Sequence, residues 1–318
     1  MSDDYLSRLR AELLRAGAAQ APRRRRPLPA IRLGPVVAVA AVALLVAAIV
    51  LTVPGERRDD LPSQVSGGSV RLTYRVQSGD PTAAAQIMRA RLKHAGVAAE
   101  LTVGDRTLAI TAPRAVSQAV NTLTVPGRFA IYDWERSVLG PDGRPAPRDP
   151  AVTGGPGAGQ LAALTEEEAR ARAAKRAGAL AVHADHGWFT LGGDAPLTNA
   201  DLSSVRAGED PMGGNPVVQL DLTSAGQQAF TTLTRELAER GADHSGGGDP
   251  LQTSQHFALV LDDRLLSTPF INWREVPEGI DGSEGVYIPD LPTPERARLT
   301  AALLSAGPLA ASLQPVSG

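Results

Sequence analysis

The apolar and polar positions divide the chain into one unbroken apolar run followed by many short amphipathic segments. Pro35 to Val53 (PVVAVAAVALLVAAIVLTV) holds no charge and one polar side chain, Thr52. At about 1.5 Å per residue such a helix matches a hydrocarbon core of ~30 Å, so a single membrane-spanning helix is predicted over 35–53. The competing readings are a cleaved signal peptide and a buried core helix. The long charged leader and the absence of a small-x-small cleavage site at Val53-Pro54-Gly55 favour retention.

Beyond a polar tether over 54–68, the pattern becomes regular. Val70, Leu72, Tyr74 and Val76 alternate as a strand; Pro81 opens a helix carrying Ala84, Ile87, Met88, Leu92 and Ala95, closed by Gly96. Leu101–Val103 and Leu108–Ile110 flank a hairpin turn, Val116, Val120 and Leu123 mark a short helix, and Arg128–Trp134 is a further strand. This β-α-β-β-α-β order is that of a ferredoxin-like open sandwich.

Ser137 to Gly159 is rich in proline and glycine and is predicted to be a loop. Thr165-Glu-Glu-Glu168 is a capping box for a helix to about Ala177, with a strand over Trp188–Leu191. Thr198 to Ala207 reads as a capped short helix, and Val218, Leu220 and Leu222 as a strand. Ser224 to Gln227 caps a helix with Phe230, Leu233 and Leu237 inward and Gly241 at its end. Phe257–Leu261, a turn at Asp262-Asp263-Arg264, and Leu265-Leu266 form a hairpin. A last helix starts at Thr293-Pro-Glu295 with Ala297, Leu299, Ala302 and Leu303 on its apolar side.

Charge orients this arrangement. The 318 residues carry a formal net charge of -2, but residues 1–53 hold eight arginines against three acids, and the remainder 24 basic against 31 acidic groups. Arg23, Arg24, Arg25, Arg26 and Arg32 lie just before the apolar run, whereas the charges after it nearly cancel. The positive-inside rule therefore places the leader, 1–34, in the cytoplasm and everything after Val53 outside. Within the leader, Leu6, Leu9 and Leu13 fall at helical spacing. The basic run is read as a topology signal that touches lipid, and the mildly acidic outer region has no footprint for nucleic acid.

Candidate chemistry is sparse. Without cysteine, disulfides and thiolate catalysis are excluded. Gly-x-Ser-x-Gly, His-Glu-x-x-His and a P-loop are absent, and Asp201, Asp221, Asp262 and Asp263 occupy cap and turn positions, so an enzyme is not expected. Gly157-Ala-Gly159-Gln-Leu-Ala162 fits a loose dinucleotide fingerprint, but it follows proline-rich coil instead of a strand, and no cofactor is expected. His183, Asp185 and His186 are the one ligand-like cluster; a metal site needs a third ligand of suitable geometry, the other histidines, His94, His244 and His256, are too far away in sequence to supply one, and no metal is expected.

Several motifs in order resemble the first extracytoplasmic (P1) region of SecD, the export-motor subunit of the RND superfamily. Ala258-Leu-Val-Leu-Asp262-Asp-Arg-Leu-Leu-Ser267-Thr-Pro269-Phe-Ile271 is similar to the family's apolar strand, Leu-Asp-Gly turn and Ser-Ala-Pro-x-Ile. Leu197-Thr-Asn-Ala-Asp201-Leu resembles its Leu-Thr-Gly-x-Asp-Leu, Val217–Thr234 its strand and Phe-bearing helix through Phe230, and Glu295–Ser312 its C-terminal helix and Gly-x-Leu-Pro ending, with Gly307 as the glycine. Gln86–Val97 and Gly127–Trp134 resemble its Arg-rich helix and its Gly-x-Leu-x-Phe-Arg strand.

The resemblance implies an α+β fold in which a single N-terminal transmembrane helix is followed by a ferredoxin-like base with an inserted α/β head. The implied organisation is a base beginning over 69–135, a Gly/Pro-rich loop over 136–162, a head over 163–272, and a segment over 273–318 that completes the base. Asp263 replaces the family's turn glycine, and the glycine-rich pattern expected over Trp273–Gly285 is missing. SecD would continue beyond Gly318 into further membrane helices, so no proton path is expected from these residues alone. The implied role is non-catalytic: binding of exported polypeptide or translocon components by a membrane-anchored domain. A regulatory anchor signalling through 1–34 is the alternative.

Overall fold

The computed structural model describes residues 68–145, 164–184, 187–210, 214–244, 253–289 and 291–316. The predicted span, Pro35–Val53, lies outside the described residues, as do the leader and its arginines; among the described residues no helix is long and apolar enough to cross a membrane.

The first core grows from β1 (Ser69–Ser78), whose alternation buries Tyr74 and Val76. Asp80 then starts α1 (Pro81–His94): its carboxylate accepts the N–H groups of Thr82 and Ala83, and Pro81 supplies a preset φ in the first turn. Ala84, Ala85, Met88 and Leu92 recur at helical spacing and are buried on β1, on β2 (Glu100–Val103) and on β3 (Thr107–Pro113). α2 (Ser117–Leu123) adds Ala119, Val120 and Leu123 to the same core.

The next strand leaves this sheet. β4 (Phe129–Asp133) does not complete a β-α-β-β-α-β sheet; it pairs over five residues with β10 (Gln255–Leu261). The vacant edge is taken by the C-terminal β14 (Ser312–Pro315), giving the antiparallel order β14-β1-β3-β2. Phe129 and Ile131 have apolar partners only in the second core, beside Phe257 and Leu259, whereas the four-residue β14 needs just a half-exposed edge. Element order cannot reveal that choice.

The second sheet runs β6-β5-β11-β10-β4-β7, with β5 (Leu180–Ala184), β6 (Gly187–Leu191), β7 (Leu197–Thr198) and β11 (Arg264–Ser267), and β12 (Phe270–Ile271) pairing with β10. A one-turn α3 (Trp134–Ser137) and α4 (Glu166–Ala173) cover it; the capping box between Thr165 and Glu168 forms as its residues predict. A third sheet, β13-β9-β8, consists of β8 (Leu202–Glu209), β9 (Pro216–Leu222) and β13 (Val286–Ile288). Against it lies α5 (Ser224–His244), which buries Phe230, Leu233 and Leu237.

Four local expectations change. Residues 198–207 are not a helix: a capping box closes a single 3-10 turn over Asn199–Asp201, and β8 follows. The i, i+3 spacing of Leu202 and Val205 mimics a helix because a bulge between Leu202 and Ser204 shifts the alternation, keeping both side chains on the core face. Gly241 does not end α5; it lies inside the helix, where a Cβ would meet Trp273 Cδ1 at 2.8 Å. The cap of that helix is Thr223, whose hydroxyl accepts the Gly226 N–H, one residue before the expected Ser224. Residues 180–184, which show no clean alternation in sequence, form β5 because β6 and β11 flank them.

One helix joins the cores. α6 (Pro294–Ser305) is capped by Thr293 and buries Ala297, Ala301 and Leu304 against β8 and β9. Its opposite side buries Leu299, Ala302 and Leu303 in the first core. The i, i+4, i+7 and i, i+3, i+4 series select two faces, which is why the helix is small and apolar nearly all round.

Candidate functional site

The residues singled out by motif fall mainly on turns, caps and core. Asp262 holds φ at +59°, and its carboxylate accepts the N–H groups of Gly127 (3.1 Å) and Arg128 (2.9 Å), while its own N–H donates to the Arg128 carbonyl (2.7 Å). The left-handed residue of the turn is thus Asp262, so Asp263 needs no glycine-like conformation. Asp201 accepts the Thr198 N–H (2.8 Å), and its carbonyl accepts that of Thr223 (2.8 Å). Phe230 meets Phe257 edge-on with centroids 5.4 Å apart. Ser267 ends β11 opposite Leu259, and the Pro269 carbonyl accepts the Phe257 N–H (3.1 Å).

Gly307, at φ +78°, turns the chain after α6, and its carbonyl accepts from Arg91 at 2.9 Å. Of the six motif positions, the structure brings Asp262 and Gly307 to one neighbourhood, around Arg91, and leaves Asp201, Phe230, Ser267 and Pro269 in the scaffold. Arg91 itself was not singled out from sequence. Its signal was present: it falls at the i+3 position from Met88 on the apolar stripe of α1, where a charged side chain is out of pattern.

Among the described residues an open groove of about 580 Å³ lies between the end of β4, the Gly192–Pro196 turn and the outer face of α5. Ala225, Ala229, Leu233 and Pro196 supply apolar surface, and Arg136, Asp194 and Glu236 charge. Asp133 anchors the groove's end: it caps α3, and Arg240 from α5 pairs with it at 2.8 Å. Arg136 reaches across to Glu236 at 3.1 Å. Beside it, burial raises the Tyr132 pKa, and the Asp194 charge adds to that shift. The outer strand of the three-stranded sheet, β8, has mostly exposed side chains, but α6 packs along it and the Ser305 hydroxyl donates to the Val205 carbonyl at 3.3 Å.

The histidines do not converge. His183 lies on β5 with its ring 5.2 Å from that of Trp188, and its N–H donates to the Asp263 carbonyl at 2.6 Å; Asp185 and His186 lie outside the described residues. Among the described residues no group of three potential metal ligands gathers. His256 is buried elsewhere, with Nδ1 2.6 Å from Glu135 Oε1, and its backbone N–H donates to both oxygens of that carboxylate. This pair ties the start of β10 to α3.

Residues 179–311 match the family described as SecDF, P1 head subdomain. Among solved structures, SecDF in its super-membrane-facing form superposes with a TM-score of 0.50 at 20% identity, over 88% of this chain and 34% of that one. A structure of SecDF, described as a membrane component that enhances protein export, matches at 19% identity over 78% of this chain and 98% of that one, with a TM-score of 0.48. SecDF from Thermus thermophilus, described as a translocon-associated membrane protein, matches at 21% identity over 87% of this chain and 34% of that one, with a TM-score of 0.31. The chain therefore spans about a third of the length of the first of these. No curated protein matches the sequence.

Proposed function

From the premise that residues 179–311 form a SecDF-type P1 head subdomain in a mixed α+β fold similar to the SecDF P1 region, we propose that this protein is an accessory component of protein export whose head holds polypeptide on the outer side of the membrane. The head match is the observation that carries the reading. The groove beside α5 is where an extended segment has room: its apolar surface suits unfolded chain, and its charged rim keeps the empty surface soluble.

The apolar run Pro35–Val53 anchors this domain, with Arg23 to Arg26 and Arg32 holding the leader in the cytoplasm. The span contains no ionisable side chain, so it anchors without conducting protons. The protein's work is binding, with no catalytic group, cofactor or metal of its own.

The test is site-specific photocrosslinking in membranes. A photoreactive residue at Thr232, in the groove, should capture an arrested secretory chain or a translocon subunit, and one at Thr102, on β2, should not. Equal labelling from both positions, or none from Thr232 in a folded and inserted protein, would refute the reading. A regulatory anchor would instead lose its output on removal of residues 2–20, a deletion that leaves polypeptide capture unchanged here.

A further inference from the structure

The mild net charge of the chain conceals a strong polarity. Residues 68–128 hold eight basic against three acidic groups, a net +5, and 306–316 hold neither, whereas 129–305 hold 14 basic against 25 acidic groups, a net -11. The part built on the first core is therefore cationic and the rest anionic.

Four of these cations gather where β1 begins. Arg71 lies on the outward face of β1, opposite Thr111 of β3, and Arg114 follows the end of β3, its N–H donating to the Gly68 carbonyl at 3.2 Å. β2 starts at the same end, with Glu100 also opposite Thr111. α1 runs back toward it: Lys93 lies in its last turn, residues 95–99 lead into β2, and Arg89 reaches the Leu101 carbonyl at 3.4 Å. All four side chains are exposed, and among the described residues none forms an ion pair. Only Lys93 has a local electrostatic role, beside the C-terminus of α1. Glu100 is the one acid of 68–128 at this end, since Asp80 opens α1 and Asp105 lies in the turn between β2 and β3, both at the far end of β1.

This corner is also where the chain arrives from the predicted span. Residues 54–68 separate Val53 from β1 and reach at most about 50 Å when extended, so the corner is confined near the bilayer surface. We propose that Arg71, Arg89, Lys93 and Arg114 rest on anionic lipid headgroups of that bilayer, while the anionic remainder of the domain is turned away from it. A negative surface attracts the one part and repels the other, so the same field both holds and orients the domain.

The chain has no cysteine, so single labels are specific. Full-length protein carries a fluorophore at Ala115→Cys, beside Arg114, or at Glu239→Cys on α5, both exposed. It is reconstituted into vesicles of phosphatidylcholine alone or of an equal mixture with phosphatidylglycerol, with nitroxide quenchers on some headgroups. The Ala115 label is expected to be quenched at least twofold more in the anionic vesicles, and the Glu239 label in neither. Raising salt from about 0.1 M to about 1 M shortens the screening length from about 10 Å to about 3 Å and should remove the difference without any variant. Each cation removed should weaken the contact about fivefold, so Arg71→Gln/Arg114→Gln should lose most of the quenching and Arg71→Lys/Arg114→Lys should keep it. Quenching that ignores lipid charge, salt or the glutamine pair overturns the proposal. So does its absence from anionic vesicles, which would leave an acidic polypeptide as the ligand of these cations. The contact rests on the anchor at Pro35–Val53 and not on what the head binds. Protein that alkaline carbonate strips from the vesicles refutes anchor and contact together, whereas inserted protein without quenching refutes the contact alone.

Discussion

Asp262 combines a cost and a gain that substitutions separate. An L residue at φ +59° pays roughly 1 kcal/mol for the left-handed conformation, which glycine does not. Against this stand two hydrogen bonds to a carboxylate, from the Gly127 and Arg128 N–H groups. Such bonds contribute about 1.5–3 kcal/mol each when buried, and one of these is exposed, so together they stabilise by about 2–3 kcal/mol. Asp262→Ala keeps the strain and loses both bonds, and is expected to cost that full amount. Asp262→Gly loses the bonds but relieves the strain, and should cost about 1 kcal/mol less than the alanine variant. Asp262→Asn keeps a carbonyl acceptor and tolerates the conformation, and should cost least. Urea unfolding followed by fluorescence of Trp134, Trp188 and Trp273 measures the order, provided the slope with denaturant stays constant. A glycine variant as stable as the parent, or an alanine variant within ~0.5 kcal/mol of it, would show that the carboxylate does not tether the segment between α2 and β4.

Three further outcomes follow from other sites. Phe230→Ala should lose about 3–5 kcal/mol, and a double-mutant cycle with Phe257→Leu should return a coupling of about 0.5–1.5 kcal/mol from the edge-on pair. Gly241→Ala would gain about 0.5–1 kcal/mol in an open helix, but against Trp273 it should instead lose about 1–3 kcal/mol by thermal or urea unfolding. Burial pushes the Tyr74 phenol up to about 12 from 10.0. Its neutral form therefore binds a proton in the folded state that the unfolded chain releases, and the associated ~2–3 kcal/mol is fully present below pH 10 and lost as pH rises through 12. Arg91, lowered to about 10, titrates in the opposite sense over the same range, so Tyr74→Phe is the comparison that isolates the phenol: its stability should fall less steeply.

A binding role also fits the placement of the groove. Most of the groove's lining, from Gly192 to Glu236, lies in the part of the chain matched to the P1 head, with Asp133, Arg136 and Ser137 before it, whereas the first core presents a sheet whose outward positions alternate polar residues such as Thr73, Arg75 and Gln77.

The sequence by itself determined most local elements, because their signals are local. Pro81 at a helix start, the Thr165 capping box and the alternation through Leu72, Tyr74 and Val76 each act within one or two turns of chain, and each forms as the residues predict. The motif order from Asp201 to Gly307 likewise identified the P1 architecture, since turns and caps demand particular residues at particular spacings. What lay beyond it were contacts between distant segments. A bulge made a strand at Leu202–Glu209 look helical, and Trp273 gave Gly241 a packing reason in place of a capping one. Burial of Phe129 and Ile131 beside Phe257 and Leu259 took β4 out of the first sheet and left its edge to β14. Arg91 shows the same limit: its place on an apolar stripe is legible, but the four carbonyls that accept from it come from residues 32 to 216 positions away, and only the tertiary fold brings them together.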